Sequence, residues 1–302
     1  MAWIPMTTLL QRARQDSYGV GYFEAWDSYS LEAVLEAAEE ERSPVILGFG
    51  GMMADTGWLD TGGVALLGAM GSVAAKRARV PVCLLLNEAQ TMAQGIEGMD
   101  AGFNAVMLDT SAWPWEAAVA AVAELVRIAH ARGVTVEAEL GRLPDATAEG
   151  IDATAAHLTD PDQAAAFLEA TGADCLAVSI GNVHLLTAHY APVDRARLEA
   201  IHRKVAVPLV IHGGTSFPPD AVPHAMTHGV AKFNVGTILK QTFYQAVQHT
   251  MIGWAGRINV HDILGSHKET DWLVAGKMAM KERVKELMRL YGSSGRAIAW
   301  EE

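Results

Sequence analysis

Two imidazoles, four carboxylates and two carboxamides stand at, or just beyond, the ends of short apolar runs in this 302-residue chain. They are Asn87 and Glu88, Asp109, Glu137 and Glu139, His184, His212, and Asn234. Carboxylates and imidazoles are the side chains that move protons and hold divalent metals near neutral pH, and carboxamides orient polar substrates. Within VEAEL, Glu137 and Glu139 alternate and therefore face the same side of a strand. One of that pair reads equally well as a buried, hydrogen-bonded residue.

The runs that carry these groups read as strands over Gly19–Phe23, Val45–Phe49, Val82–Leu86, Ala105–Leu108, Thr135–Glu139, Cys175–Ser179, Leu209–His212 and Lys232–Val235. Amphipathic, Ala-rich stretches lie between them: Ser30–Arg42, Gly63–Arg77, Trp115–Arg132, Pro161–Thr171, Val193–Lys204 and Pro219–Gly229. Continuous apolar strands alternating with helices predict an α/β protein, a (β/α)8 (TIM) barrel, because parallel strands are buried on both faces. A doubly wound open sheet is the alternative, weakened because YGVGYFE stands where a GxGxxG turn would be. In a barrel the polar groups named above all reach the carboxyl-end mouth, where barrel enzymes place their chemistry.

We expect residues 1–302 to form one barrel domain, with Thr237–Thr250 and Lys277–Tyr291 as helices and a C-terminal helical extension over about 251–302. Gly141 to Thr159 is a long connection rich in small residues, expected to be a lid or disordered. Trp113 and Trp115 read as rim packing, the HDILGSH segment (His261–His267) as a solvated connection between helices and His130 as a helix end at the opposite mouth, all outside the site.

A net charge of -12 argues against a nucleic-acid partner, since phosphate backbones are bound through basic fields. No stretch approaches a membrane span, and the first residues lack a basic flank with an apolar core and cleavage site. The two cysteines, Cys83 and Cys175, read as buried thiols of a reducing compartment, so a cytoplasmic location is expected.

Ungapped from Val80 to Phe103, and through VMLD at Val106–Asp109, the chain resembles the class II, zinc-dependent ketose-bisphosphate aldolases. Further segments carry the resemblance in the family's order: VEAELG at Val136, DCLAVSIGNVH at Asp174, LVIHGGTS at Leu209, AKFNVGT at Ala231 and YGSSGRA near the C-terminus. It implies Zn2+, or another divalent metal, held by His184 and His212, with Glu88 in the third position and Asp109 and Glu139 as an outer pair. Zinc accepts two imidazoles and a carboxylate as readily as three imidazoles. Gly181, Gly213, Gly214, Thr215, Asn234 and Thr237 are the implied substrate and phosphate contacts.

Departures from the family pattern are concentrated in the proton-transfer residues. Leu85, Leu86, Asn87 and Glu88 stand where the family has HLDH, so Asn87 replaces the catalytic acid/base. Glu24 stands where the family has an Asn; it is a surrogate base or a contact to a more polar substrate. The lid acid pattern is missing, leaving Asp145, Glu149 and Asp152 as candidates, with Glu149 foremost. Leu185, Ser216 and Gly236 are further departures.

The resemblance implies a lyase that cleaves or forms a C–C bond in a phosphorylated ketose, or a related sugar acid, through a metal-stabilised enediolate. Its small-molecule partner is a sugar phosphate, and the assembly a homodimer or homotetramer. A sugar-phosphate isomerase or epimerase, or a decayed paralogue that only binds sugar phosphate, are the alternatives.

Overall fold

The computed structural model describes residues 3–147, 150–151, 158–187, 189–255 and 259–300. Eight parallel strands close a barrel in chain order: β1 (Val20–Ala25), β2 (Val45–Gly50), β3 (Val82–Ala89), β4 (Ala105–Leu108), β5 (Thr135–Leu140), β6 (Cys175–Val178), β7 (Leu209–Ile211) and β8 (Val230–Val235), which returns to β1. This is the (β/α)8 barrel expected, and not an open sheet.

Apart from short helical segments such as Thr56–Trp58 and Val260–Ile263, the helices are α1 (Met6–Gln15), α2 (Ser28–Glu41), α3 (Val64–Arg77), α4 (Met92–Asp100), α5 (Trp115–His130), α6 (Pro161–Thr171), α7 (Arg195–Lys204), α8 (Val222–Thr227), α9 (Thr237–Gly253) and α10 (Trp272–Leu290). Two of them escaped the sequence reading. In α4, MAQGIEGMD buries Gln94, Gly95, Gly98 and Met99, so no large apolar stripe marks its face. Helix α1 follows Pro5 as its N-cap and buries Met6, Leu9, Leu10 and Ala13.

Those four side chains join a cluster with Val20, Tyr22, Ile46, Cys83, Leu85, Ala105, Cys175, Ala177, Val210 and Ala231. All strands except β5 contribute to it from their inner faces, so α1 plugs the amino end of the barrel. A second, larger cluster, with Phe23, Leu47, Leu84, Val106, Val136, Leu176 and Ile211 among its members, lies between the barrel and its helices. Alternation therefore divides the strands between two cores. Along the inner face the residues change from mostly apolar at the plugged end, where Thr135 accepts the Thr7 amide at 3.5 Å, through the buried Lys232–Glu137 pair to polar at the carboxyl end.

The C-terminal helix starts earlier than the sequence reading placed it, at Trp272, because Asp271 caps it by accepting the Leu273 amide at 3.0 Å. It packs on α2 and α9, and Lys277, Lys281 and Lys285 pair with Glu32, Glu36 and Glu40 of α2. The connection after β5 contains a short antiparallel hairpin, Ala146–Thr147 with Gly150–Ile151. Glu149 and Asp152, two of the candidate lid acids, lie outside the described residues.

Candidate active site

At the end of β3 two consecutive residues have to serve one mouth, which regular pleating forbids. Pairing with β4 runs Leu86↔Val106 and then jumps to Ala89↔Leu108, a bulge that places one extra residue at Asn87–Glu88. Glu88 takes a left-handed backbone there, φ 54°. That conformation costs a non-glycine residue roughly 1–2 kcal/mol, and bulges of this kind re-aim side chains beside active sites. Both side chains line the same cavity of ≈ 480 Å³ at the carboxyl end of the barrel.

His212, just past β7, is the buried centre of the site. Its Nε2–H donates to Glu137 Oε1 at 2.8 Å, while Nδ1 lies 3.2 Å from Glu88 Oε1 and 3.1 Å from Glu139 Oε2. Since a carboxylate only accepts, Glu137 fixes the proton on Nε2 and turns Nδ1 towards Glu88. Burial alone would lower the pKa of His212, yet the carboxylates of Glu137, Glu139 and Glu88 hold it well above 6.5. Glu137 itself is fully buried. Burial works to raise its pKa, but the Lys232 ammonium, which donates to it, and His212 together pull it down to about 2. Glu137 is thus the supporting member of the VEAEL pair, and Glu139 the one that faces the cavity.

Glu88, His184 and His212 each offer a ligand atom within 4.8 Å of the others. Asn182 secures the two loops that carry the imidazoles, accepting the Ile180 amide at 2.8 Å and donating to the His212 carbonyl at 2.9 Å. On the other side of His184, its amide donates to Pro144 O at 3.0 Å and Asp145 Oδ1 stands 3.6 Å from Nδ1. Three carboxylates around His212, and a buried Glu139 Oε2 with no well-aligned hydrogen-bond partner, make a donor set that suits a divalent cation. Asp109 lines the cavity outside this group, its Oδ1 accepting the Ser111 amide at 3.0 Å.

The remaining expected residues divide. Gly213, Thr215, Asn234 and Thr237 line the cavity; Thr237 opens α9, and Thr215 Oγ1 accepts the Ile238 amide of its first turn at 3.3 Å. Asn87 Oδ1 and Asn234 Nδ2 are 3.4 Å apart, and Asn234 Oδ1 is buried and unpartnered. Two glycines fall outside. Gly181 does not line the cavity: its φ of 104° and the Pro192 carbonyl, 2.2 Å from where a Cβ would sit, explain it by loop packing. Gly214 donates its amide to the Asn234 carbonyl at 2.8 Å, leaving none for a phosphate.

Glu24 ends β1 inside the cavity, and Lys240 Nζ donates to its Oε1 at 2.9 Å. Burial raises its pKa above 4.5, with Lys240 partly offsetting that. Its Oε2 lies 2.1 Å from the position of a Cβ at Gly236, so a larger residue there would displace the carboxylate. The departures at 24 and 236 are therefore one structural feature.

Lys232, Lys240 and Tyr22 were missed by sequence reasoning. Each sits inside or next to an apolar run and has no partner nearby in the chain. The Tyr22 hydroxyl is buried in the cavity wall without a hydrogen-bond partner, and burial followed by the charges of Glu24, Glu88 and Glu137 keeps it protonated. The residues expected outside the site do lie elsewhere. Trp115 packs against Phe167, His267 stacks on Tyr29 at 4.2 Å, and His130 Nε2 is 3.0 Å from Asp174.

Fold and site together define a (β/α)8 barrel protein with a polar cavity at its carboxyl-end mouth, lined by side chains that could hold a cation. The chain belongs to the class-II fructose-bisphosphate aldolase family, whose model matches residues 4–296. It is 36% identical to a fructose-bisphosphate aldolase of Thermus caldophilus, over 96% of this chain and 98% of that protein. A sulfofructosephosphate aldolase of Alkalicoccus urumqiensis is 30% identical over 98% of this chain and 99% of its own length. The crystal structure of the YdjI aldolase from Escherichia coli K12 superposes with a TM-score of 0.80 at 30% identity, covering 98% of this chain and 99% of that one.

Proposed function

We propose that this aldolase-type lyase cleaves or forms a C–C bond in a phosphorylated ketose other than fructose 1,6-bisphosphate, or in a related sugar acid, with a divalent metal held by Glu88, His184 and His212. The observation that carries the reading is the convergence on one cavity, beside that ligand group, of two buried unpartnered oxygens, Tyr22 Oη and Asn234 Oδ1, with Glu139 Oε2, whose only near contact is an ill-aligned one to His212. Buried polar atoms are left without partners at a cost, so such a cluster points to a polar ligand. A bound divalent ion would supply Lewis acidity towards a carbonyl and its neighbouring hydroxyl. Zinc suits two imidazoles with one carboxylate, and Asp109 and Glu139 offer the outer carboxylates.

The chain's own groups do the rest. Glu137, held by Lys232, keeps His212 in one tautomer and orientation. Asn87 hydrogen-bonds a substrate hydroxyl and takes no proton from it. Glu24 is the described acid best suited to that step, because a carboxyl raised by burial exchanges protons closer to neutrality, and Lys240 orients it. Glu149 remains a proposed lid acid on family resemblance alone. The phosphate is assigned to Gly213, Thr215, Asn234 and Thr237, around the start of α9.

The relatives support a lyase over an isomerase, epimerase or inactive binder, and they include both fructose-bisphosphate aldolases and a sulfofructosephosphate aldolase, so the preference for another ketose rests on Asn87. A homodimer or homotetramer is proposed from the resemblance; the exposed Leu66 and Val73, seven residues apart on α3, are consistent with a covered face. Among the described residues no helix is long and apolar enough to cross a membrane. Both thiols are buried and free, which supports a reducing, cytoplasmic setting. The test is an assay of carbonyl products from a panel of ketose phosphates, with and without added zinc. Zinc-dependent aldehyde release from at least one is expected, and isomerised or epimerised sugar without aldehyde would overturn the reading.

A further inference from the structure

A second group of metal-ligating side chains lies on the outer helical layer, at the end of the barrel opposite the cavity. Helix α8 runs directly into the amino end of β8 through His228, its C-cap, and carries His224 four residues earlier. The H-x3-H spacing stacks the two rings, with centroids 4.2 Å apart and planes inclined by 31°. From the neighbouring α7, Glu199 brings its Oε1 to 3.5 Å from His224 Nε2. Each of the three offers a ligand atom within 4.8 Å of the other two.

A hydrogen bond fixes the orientation of the His228 ring. His228 Nδ1 lies 2.8 Å from the His224 carbonyl, which only accepts, so Nδ1 carries the proton and Nε2 keeps its lone pair. Such a bond to the far nitrogen is what orients metal-binding imidazoles. His224 Nε2 is buried and has no hydrogen-bond partner. A ring nitrogen in that state, beside a carboxylate and a second imidazole, lacks the partner that burial normally demands. Bonds of about 2.0–2.2 Å place tetrahedral ligand atoms roughly 3.3 Å apart, so the Glu199–His224 edge is already at bonding separation.

We propose that Glu199, His224 and His228 form a second divalent-metal site, selective for zinc, that ties α7 to α8 and leaves the fourth position to water. Two imidazoles favour zinc over magnesium or calcium, which take oxygen ligands. The only other ion-pair partner of Glu199 among the described residues is Arg203, 3.9 Å away on the exposed helix surface, and metal binding would lose little by displacing it. The site is structural, since its residues are at the opposite end of the barrel from the cavity.

Equilibrium dialysis of the full chain against buffered zinc, followed by metal analysis, tests this alongside the first site. Wild-type protein should bind two zinc ions per chain, and both Glu88→Ala and the double variant His224→Gln/His228→Gln should bind one. Glu199→Gln, the milder change, should weaken one of the two sites by about tenfold or more. Zinc should also raise the melting temperature of Glu88→Ala, but not that of a protein that combines Glu88→Ala with the two histidine substitutions. If the double variant binds as much zinc as the wild type at every concentration, the second site does not exist. Loss of zinc from the Glu88 variant alone would overturn this inference while leaving the proposed function intact.

Discussion

Asn87 and Glu24 set the expectations at the scale of single residues. Asn87 cannot accept a proton at neutral pH, and losing a positioned acid/base costs on the order of 10²–10⁴ in rate. Cleavage of fructose 1,6-bisphosphate should accordingly be weak. Restoring the acid alone should not suffice, because Glu88 as a ligand of the proposed metal would add negative charge there, weakening its Lewis acidity and raising the pKa of a carboxylate beside it. Asn87→Asp together with Glu88→His should recover more bisphosphate cleavage than either change alone, as steady-state kinetics would show. Glu24→Gln keeps the shape and removes the proton acceptor, so kcat on the true substrate should fall by about 10²-fold or more with metal content unchanged. A kcat within a few-fold of wild type would remove Glu24 from the chemistry and leave it a contact.

Among the secondary-structure elements, α10 shows how local capping and long-range packing meet in one side chain. Asp271 accepts the amides of Ser266, His267 and Leu273 and the Tyr29 hydroxyl, tying the helix start to α2. Burial works to raise its pKa, but these donors hold it below the ordinary 3.8. A carboxyl depressed in the folded state stabilises the fold above its unfolded pKa and loses that contribution as pH falls through the folded value. Asp271→Ala should therefore cost about 1–2 kcal/mol at pH 7, and the deficit should shrink in acid below the usual carboxylate range. Thermal melts across that range would reveal it; a deficit constant with pH would mean that the charge contributes nothing.

For the molecule as a whole, the division of the barrel interior into an apolar half and a polar half depends on α1. Leu9 and Leu10 are fully buried among inward-facing strand residues and close the amino end. Leu10→Ala should lower stability by about 2–5 kcal/mol through the cavity it leaves, measured by denaturant unfolding. Metal binding at the distant mouth should be retained at temperatures where the variant is folded. A loss smaller than about 1 kcal/mol would show that the plug is dispensable.

The strand positions and the barrel were legible in the sequence because buried parallel strands are continuous apolar runs, and their ends marked where Glu88, His184 and His212 would emerge. Helix α4 was not legible, since its buried face is made of glycines and a glutamine instead of large apolar residues. The spacing of His224 and His228 does not by itself mark a site; it is α7 that brings Glu199 alongside them. The sequence by itself determined the family and the fold, and put Asn87 where the resemblance implies an acid, because residue identity at matched positions is local information. Tertiary structure alone decided that a bulge turns Asn87 and Glu88 to one cavity, that Lys232 and Glu137 fix His212, and that Glu24, Lys240 and Gly236 act together. Those relations join residues up to 216 positions apart, and the geometry that joins them is set by barrel closure, not by any pattern along the chain.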